Sequence, residues 1–194
     1  SDVCSSDLED IQRIDAIVGQ FVDYARTNQE PKARHVSASD ALTALALSYD
    51  SEIRSGRLSL KTRIAEQTEW VGDPTDLQRI GSNLIDNAVH YGKSAQEMGA
   101  RVELGLARDQ GGVRLEVRDF GPGIPGNDLG EAVRPFARLD AARTNSPGSH
   151  AGTGLGLALV RRIARLHGGD VTYVPPAPQQ KSCFRVRLPL TLTH

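Results

Sequence analysis

The chain has 194 residues, of which 39% are hydrophobic and 24% are charged, and its net charge is −1. This size fits one domain with an appendage, and the balanced charge gives no reason to expect nucleic acid or anionic lipid as a partner. Two cysteines, Cys4 and Cys183, form neither a disulfide framework nor a zinc motif, and no apolar run approaches the ~20 residues of a membrane span, so we expect a cytoplasmic location.

Three N-terminal segments precede the main domain. Residues 1–8 have no periodicity and match the translated end of a common sequencing adapter, so we expect a non-native leader. The segment 9–30 is predicted to be a helix, because apolar residues recur with three-four spacing over about two heptads: Ile11, Ile14, Val18, Phe21 and Ala25. This seam can pack in a bundle or dimer, or against the chain's own domain. Residues 31–38, with Pro31 and several charges, are predicted to be a linker.

The segment 39–192 alternates helical and strand patterns. Ser39 is a candidate N-cap for a helix that ends at Gly56. Asp73 followed by Pro74 gives a strong signal for the start of a second helix. Strands are predicted over 58–64, 68–72, 102–107, 113–118, 171–174 and 184–188, the last four as two hairpins.

The second helix carries a polar strip next to its apolar stripe. The stripe consists of residues at helical spacing: Leu77, Ile80, Leu84 and Ala88. Asn83 and Asn87 lie one residue out of phase with it, and His90 and Tyr91 follow. An amide oxygen is a hard, neutral metal ligand, and its NH2 group can donate to phosphate. Taken alone, this pattern fits a binding site and an asparagine-rich helix end before Gly92 equally well.

Two glycine-rich segments follow. Asp119 stands where a strand meets Phe120-Gly121-Pro122-Gly123-Ile124, and its carboxylate can accept from a planar NH2 donor such as adenine, although an ordinary Asx-turn fits as well. Gly152-Thr153-Gly154-Leu155-Gly156 opens a helix that runs to His167, and free N–H groups at such a helix start favour phosphate. It lacks the lysine of a P-loop and is not a clean dinucleotide fingerprint.

A long loop over 126–151, with a short helical piece near Leu129, separates the two glycine segments. A loop of this length within a compact domain is usually functional. Arg138 and Arg143 can reach triphosphate oxygens from a mobile lid, and Phe136 can anchor the lid to the domain. The alternative is a surface loop with solvated arginines.

In this order, these four elements resemble the ATP-binding domain of sensor histidine kinases, within the Bergerat-fold ATPase superfamily. The helix over 10–30 and the segment 134–144 are similar to EnvZ-like osmosensor kinases. The resemblance implies an α+β sandwich, in which a mixed sheet is covered on one face by three helices. One helix of a truncated dimerisation and phosphoacceptor domain would precede this catalytic domain.

The resemblance also implies roles for the site residues. Asn87 would bind Mg2+ that bridges the ATP phosphates, with Asn83 next to it as a further catalytic residue. Tyr91 would lie against the adenine, and Asp119 would accept from the adenine amine. The adenine pocket would be shaped by Gly121, Gly123 and Ile124. The lid would include Phe136 as a nucleotide-binding residue and Arg138 and Arg143 as further catalytic residues. The phosphates would be wrapped by Gly152, Thr153, Gly154, Leu155 and Gly156.

His90 would also belong to the nucleotide-binding residues, but it departs from the resemblance, because these kinases often carry Lys or Arg at that position. A second departure concerns the phosphoacceptor, since none of the five histidines has the context of the acceptor motif: His35, His90, His150, His167 and His194. We therefore expect a chain that binds ATP-Mg and donates the γ-phosphoryl group to a histidine on a separate dimerisation helix of the same kinase.

The expected setting follows from the same resemblance. It implies a two-component system, a homodimer at full length, an OmpR-like response regulator and a parent protein in the bacterial inner membrane, with this part on the cytoplasmic side. Two alternatives stay open. One is an ATPase of the gyrase, MutL or Hsp90 kind, although Asn83 stands where those enzymes carry a glutamate base. The other is a nucleotide-binding module that performs no phosphorylation.

Overall fold

The computed structural model describes residues 18–19, 21–22, 33–92, 99–109, 111–124, 126, 128–137, 154–176 and 182–189. In this part of the chain the helices are α1 (Ala38–Ser48), α2 (Asp50–Arg54), α3 (Pro74–Tyr91), α4 (Leu129–Ala132) and α5 (Gly156–Leu166). The strands are β1 (Arg34–Ser37), β2 (Leu58–Ile64), β3 (Glu69–Gly72), β4 (Ala100–Asp109), β5 (Gly112–Asp119), β6 (Asp170–Val174) and β7 (Ser182–Pro189).

Five strands form one mixed sheet in the order β2-β4-β5-β7-β6. β2 runs parallel to β4, and the other neighbours are antiparallel. The two predicted hairpins, β4 with β5 and β6 with β7, are confirmed. β1 and β3 form a separate two-stranded antiparallel sheet. The α+β sandwich that the sequence predicted is therefore the observed fold.

Helices α1, α3 and α5 pack against one face of the large sheet. On β5 the side chains of Val113, Leu115 and Val117 are buried in the same core as the apolar stripe of α3. The alternating residues point the other way, and Glu116 there contacts Arg118 and Arg185 at 2.6 Å each. The period-two pattern of β5 thus gives the sheet one covered and one polar face.

The start of the domain differs from the prediction. Residues 34–37, within the predicted linker 31–38, form β1 and pair with β3. The N-cap of α1 is Ser37, whose hydroxyl accepts from the Asp40 N–H at 3.1 Å, and not Ser39. Ser39 is buried and donates instead to the Ala65 carbonyl at 2.7 Å. A polar four-residue strand has no apolar period, so its pairing is visible only once β3 is placed.

The helix predicted from 39 to 55 is interrupted at Tyr49, between α1 and α2. Its predicted end at Gly56 is confirmed, because Gly56 has a φ of +72°, which favours glycine. The next two predicted strands are also present, but they belong to different sheets. β3 pairs with β1, while its Trp70 is fully buried and links it to the large sheet, because Nε1 donates to the Pro189 carbonyl at 3.0 Å.

The predicted N-terminal helix and the predicted leader lie almost entirely outside the described residues. Of the apolar seam, Val18 and Phe21 are described, and each side chain is 53% exposed. Within the described ranges, no helix is both long and apolar enough to cross a membrane.

Candidate nucleotide site

Helix α3 is the support of the candidate site. Asp73 caps it by accepting from the Thr75 N–H at 2.8 Å, and Pro74 occupies the first turn, as predicted. The predicted apolar stripe of Leu77, Ile80, Leu84 and Ala88 is buried in the core. This burial fixes the rotation of the helix, so Asn83 and Asn87 lie half-buried along its side.

The two carboxamides face the first turn of α5. A Cβ atom on Gly156 would lie 3.1 Å from Asn83 Oδ1 and 3.5 Å from Asn87 Nδ2. The glycine thus lets a helix start approach two amide groups closely. Free backbone N–H groups and the positive end of the helix dipole are concentrated there, which favours an anion.

The two asparagines have different surroundings. Asn83 Nδ2 donates to the Arg79 carbonyl at 2.8 Å, which fixes this side chain. Asn87 Nδ2 is buried and has no hydrogen-bond partner among the described residues. An unpaired buried amide group is unfavourable in the free domain, and an acceptor on a ligand would satisfy it. Asn87 is therefore the group that most directly indicates a ligand.

Asp119 lies in a turn that packs against Gly92, at the C-terminal end of α3. Its side chain is buried, and Oδ1 accepts from the Gly121 N–H at 2.8 Å, so the predicted carboxylate does form an Asx-turn. A Cβ on Gly121 would lie 2.6 Å from Gly92 Cα, and one on Gly92 would lie 3.0 Å from Asp119 Cβ. Gly92 does end the helix, but with a φ of −84°, so close packing rather than a left-handed turn requires glycine there.

Gly123 and Ile124 are fixed by a residue that the sequence did not single out. Gly123 has a φ of +78°, and the Ile124 N–H donates to the Tyr173 phenol oxygen at 2.9 Å. Ser182 was missed as well, although it is buried and directly opposite Asp119 in the pairing of β5 with β7. Only the strand register reveals both residues, since neither belongs to a local motif.

Phe136 does not anchor the loop as predicted. Its side chain is 62% exposed, and its backbone provides the attachment instead: the Phe136 N–H donates to the Gly154 carbonyl at 3.0 Å. Both residues have positive φ angles, +63° and +73°. The beginning and the end of the predicted lid therefore meet at this bond. The remaining predicted lid and glycine residues lie outside the described part of the chain: Arg138, Arg143, Gly152 and Thr153.

His90 and Tyr91 are at the exposed end of α3. Their ring centroids are 5.2 Å apart in an edge-on arrangement, and Tyr91 is 47% exposed. The Tyr91 carbonyl oxygen is 2.8 Å from where a Cβ on Gly121 would lie, so its backbone borders the Asp119 turn. Leu155, which precedes α5, is buried. The described residues of the predicted site thus surround the α3 C-terminal half, with α5 on one side and the Asp119 turn at its end.

The site is defined by polar groups and not by cavity size. A groove of about 670 Å3 lies between α1 and the end of β2, and its lining, which includes Leu47 and Leu106, contains none of the predicted site residues. Among the described residues, no group of three or more His, Cys, Asp or Glu side chains is arranged to hold a metal ion. Any cation here would depend on an amide and on ligand oxygens.

Known proteins share both sequence and fold with this chain. The family model described as "Histidine kinase-, DNA gyrase B-, and HSP90-like ATPase" matches residues 72–192. The sensor protein CutS of Streptomyces coelicolor is 36% identical over 138 residues, which is 71% of this chain and 30% of CutS. The sensor histidine kinase CpxA of Escherichia coli is 37% identical over 100 residues, 52% of this chain and 20% of CpxA. The chain thus spans about 30% or less of these relatives.

Solved structures give the same result for the fold. The histidine kinase AdeS of Acinetobacter baumannii superposes with a TM-score of 0.75 at 18% identity, covering 98% of this chain and 85% of the AdeS chain. The mycobacterial sensor histidine kinase MprB superposes with a TM-score of 0.62 at 25% identity, covering 83% of this chain and 99% of the MprB chain.

Proposed function

Because the chain belongs to the family of histidine kinase-, DNA gyrase B- and HSP90-like ATPases, we propose that it is the ATP-binding catalytic part of a sensor histidine kinase. It binds ATP with Mg2+ and donates the γ-phosphoryl group to a histidine on the dimerisation domain of the same kinase, since none of the five histidines of this chain has the acceptor context. One observation carries this proposal: the start of α5 lies against Asn83 and Asn87, and the Nδ2 group of Asn87 is buried and unpaired among the described residues.

The adenine end of the proposed site is the Asp119 turn. Asp119 Oδ1 is occupied by the Gly121 N–H, so Oδ2 is the oxygen available to accept from the adenine amine. Gly121, Gly123 and Ile124 form the wall of this pocket, and the Tyr91 ring lies against the base. A buried carboxylate that accepts from an exocyclic amine favours adenine over a base with a carbonyl at that position.

The phosphate end of the proposed site is the start of α5. Its backbone N–H groups hold the phosphates, and Gly156 allows the approach to Asn83 and Asn87. His90 replaces the usual Lys or Arg and adds no permanent charge. The other groups proposed for the phosphates are Gly152, Thr153, Gly154 and Leu155, with Arg138 and Arg143 on the lid that Phe136 begins.

Mg2+ fits the donor set of this site. Asn87 offers a neutral oxygen ligand, and Mg2+ in phosphoryl-transfer sites commonly takes one or two protein ligands together with phosphate oxygens and water. When bound, the cation neutralises negative charge on the phosphates during transfer. Asn87 would hold the cation. The neighbouring Asn83 side chain is fixed by its own hydrogen bond to the Arg79 carbonyl.

The presence of Asn83 favours phosphoryl transfer to histidine over ATP hydrolysis. In the proposed site this residue is one turn before Asn87, where a water-activating base would have to be. A carboxamide takes up no proton near neutral pH and cannot activate water as a general base. Positioning of two reactants and charge neutralisation are then the main contributions of this domain.

The parent protein is proposed to be a homodimeric, EnvZ-like kinase in the bacterial inner membrane, with this part on the cytoplasmic side and an OmpR-like response regulator as its partner. The support is the resemblance of the segments 10–30 and 134–144, together with the sensor proteins among its relatives. The acceptor histidine belongs to the dimerisation domain of that parent.

Two measurements test the proposal. Isothermal titration should detect ADP and ATP binding to the chain, and the absence of binding to either would refute the nucleotide site. Phosphoryl transfer is tested by mixing the chain, labelled ATP and a separate dimerisation domain that carries the acceptor histidine. Acid-labile label on that acceptor is expected, whereas ATP hydrolysis without such label would favour an ATPase.

A further inference from the structure

The turn that follows Asp119 is fixed at two points. At the first, Asp119 Oδ1 accepts from the Gly121 N–H at 2.8 Å. At the second, the Tyr173 phenol oxygen accepts from the Ile124 N–H at 2.9 Å. The first contact is local, because it joins residues two apart. The second joins the turn to β6, at the far edge of the sheet, so Tyr173 ties a pocket wall to the rigid part of the domain.

Tyr173 also limits the space around the turn. A Cβ on Gly123 would overlap the Tyr173 phenol oxygen, and it would lie 2.7 Å from Pro176 Cδ. Gly123 already has a φ of +78°, a conformation that other residues rarely adopt. Tyr173 and Gly123 therefore depend on each other. The absence of a side chain on Gly123 leaves room for the Tyr173 phenol, and the phenol oxygen accepts from the N–H of the next residue, Ile124.

The Tyr173 ring is itself held in place. It packs on Phe184 of β7, its partner in the strand pairing, with ring centroids 5.0 Å apart. Burial raises the pKa of the Tyr173 phenol even though the hydrogen bond from Ile124 lowers it, so the group stays neutral near neutral pH. A neutral phenol at a fixed position is a suitable acceptor for one backbone N–H group.

We propose that Tyr173 is a positioning residue for nucleotide binding, which acts through Gly123 and Ile124 and does not touch the nucleotide. This inference rests on the proposed function, because it assigns the Asp119 turn to the adenine pocket. Without the phenol oxygen, the Ile124 N–H loses its partner and the turn is fixed only at Asp119. The pocket must then be ordered when the nucleotide binds, which weakens affinity.

The first test is Tyr173→Phe, which keeps the ring on Phe184 and removes the oxygen. Isothermal titration should give an ADP Kd that is about five- to tenfold higher than in the wild type, the change expected for one net hydrogen bond. The ratio of Kd values with and without Mg2+ should stay at its wild-type value, because Asn87 is at the other end of the site.

The matched control is Tyr49→Phe. Tyr49 also has a partly buried phenol, which donates to Asp86 at 2.8 Å, but it is outside the proposed site. Both variants should lose similar thermal stability, and Tyr49→Phe should keep the wild-type ADP Kd. A purely structural role for Tyr173 would instead leave both Kd values unchanged, and this result would overturn the inference.

A double-mutant cycle with Gly123→Ala gives a second test. The added methyl group should weaken ADP binding in both backgrounds, because the φ angle and Pro176 still oppose it. The fold-change should be smaller in Tyr173→Phe, where the overlapping oxygen is gone; equal fold-changes would overturn the coupling of the two residues.

If the wild type fails to bind ADP at all, the proposed function is refuted and this inference with it. If the wild type binds ADP and the Tyr173→Phe variant binds it with the same Kd, only this inference is overturned.

Discussion

Asn87 and Asp119 hold two buried polar groups near the C-terminal end of α3: Asn87 faces α5, and Asp119 lies in the turn that packs on Gly92. Asn87 Nδ2 is unpaired among the described residues, whereas Asp119 uses one carboxylate oxygen for the Gly121 N–H. An unpaired buried donor or acceptor is unfavourable by roughly 1–3 kcal/mol, which a ligand recovers when it pairs the group. Each residue can therefore be tested by removing one polar atom or group.

Asn87→Ala is expected to abolish the effect of Mg2+ on nucleotide affinity, because it deletes the proposed protein ligand of the ion. Isothermal titration of ADP with and without Mg2+ measures this effect. Ser82→Ala is the control, since the Ser82 hydroxyl donates to the Arg79 carbonyl on the same helix and is outside the proposed site. Mg2+ dependence that survives in Asn87→Ala would refute the assigned role.

Asp119→Asn should weaken ADP binding by about 10- to 100-fold, the range for loss of a charge-assisted hydrogen bond. If the amide oxygen of the new asparagine accepts from the Gly121 N–H, the NH2 group of that side chain must face the adenine amine. Two hydrogen-bond donors then meet. The substitution preserves volume, and thermal unfolding should confirm a folded variant. An ADP Kd within about twofold of the wild-type value would place the adenine elsewhere.

At the scale of elements, α3 and α5 are joined at both ends. Near the start of α3, Asp76 Oδ2 is 3.0 Å from His167 Nε2, at the end of α5. Near the other end, Asn83 and Asn87 face Gly156, at the start of α5. The buried pair at one end thus helps to set the approach of the groups at the other.

His167→Phe is expected to lower the free energy of unfolding by about 2–4 kcal/mol, because it leaves the Asp76 carboxylate without its buried partner. The phenyl ring preserves the aromatic contact with Trp70, whose ring centroid is 4.7 Å from that of His167. Denaturant unfolding measures the change. The double variant with Asp76→Leu should be more stable than His167→Phe alone, since it removes a carboxylate that, among the described residues, keeps only its 3.6 Å contact with Arg79. A change within about 0.5 kcal/mol would contradict this importance of the pair.

At the scale of the whole molecule, the sheet has one face covered by helices and one polar face. On the polar face, partial burial raises the pKa of the Glu116 carboxyl, but hydrogen bonds from Arg118 and Arg185 outweigh it and hold the pKa below its ordinary value. A carboxyl whose pKa is lower in the folded state stabilises the fold above its unfolded pKa. This stabilisation is lost as the pH falls through the folded pKa.

Glu116→Gln should therefore lower the melting temperature at pH 7, and the difference from the wild type should shrink as the pH falls below about 4, the ordinary range for a glutamate. Thermal unfolding at a series of pH values measures this. Glu52→Gln is the control, because its contact with Arg57 is at the exposed surface and 3.9 Å long. A difference that stays constant across the series would show that Glu116 makes no ionic contribution.

Much of the local structure was predictable because its causes are local. The Asp73-Pro74 start of α3, the apolar stripe and the alternation in β5 depend on residues close together in sequence. The errors arose where distant residues decide the structure. β1 exists because β3 pairs with it, and Ser39 is buried because it contacts Ala65 and Thr68.

From sequence alone came the order of motifs, and with it the family, the sandwich and the two asparagines. Spacing and residue chemistry are sufficient there, because helix periodicity and glycine turns are properties of short segments. Tyr173 and Ser182 required the folded chain, since folding brings Tyr173 to Ile124, 49 positions away, and strand pairing places Ser182 opposite Asp119. Folding also produced the unpaired Asn87 amide, because burial and hydrogen-bond partners are defined only after the elements pack.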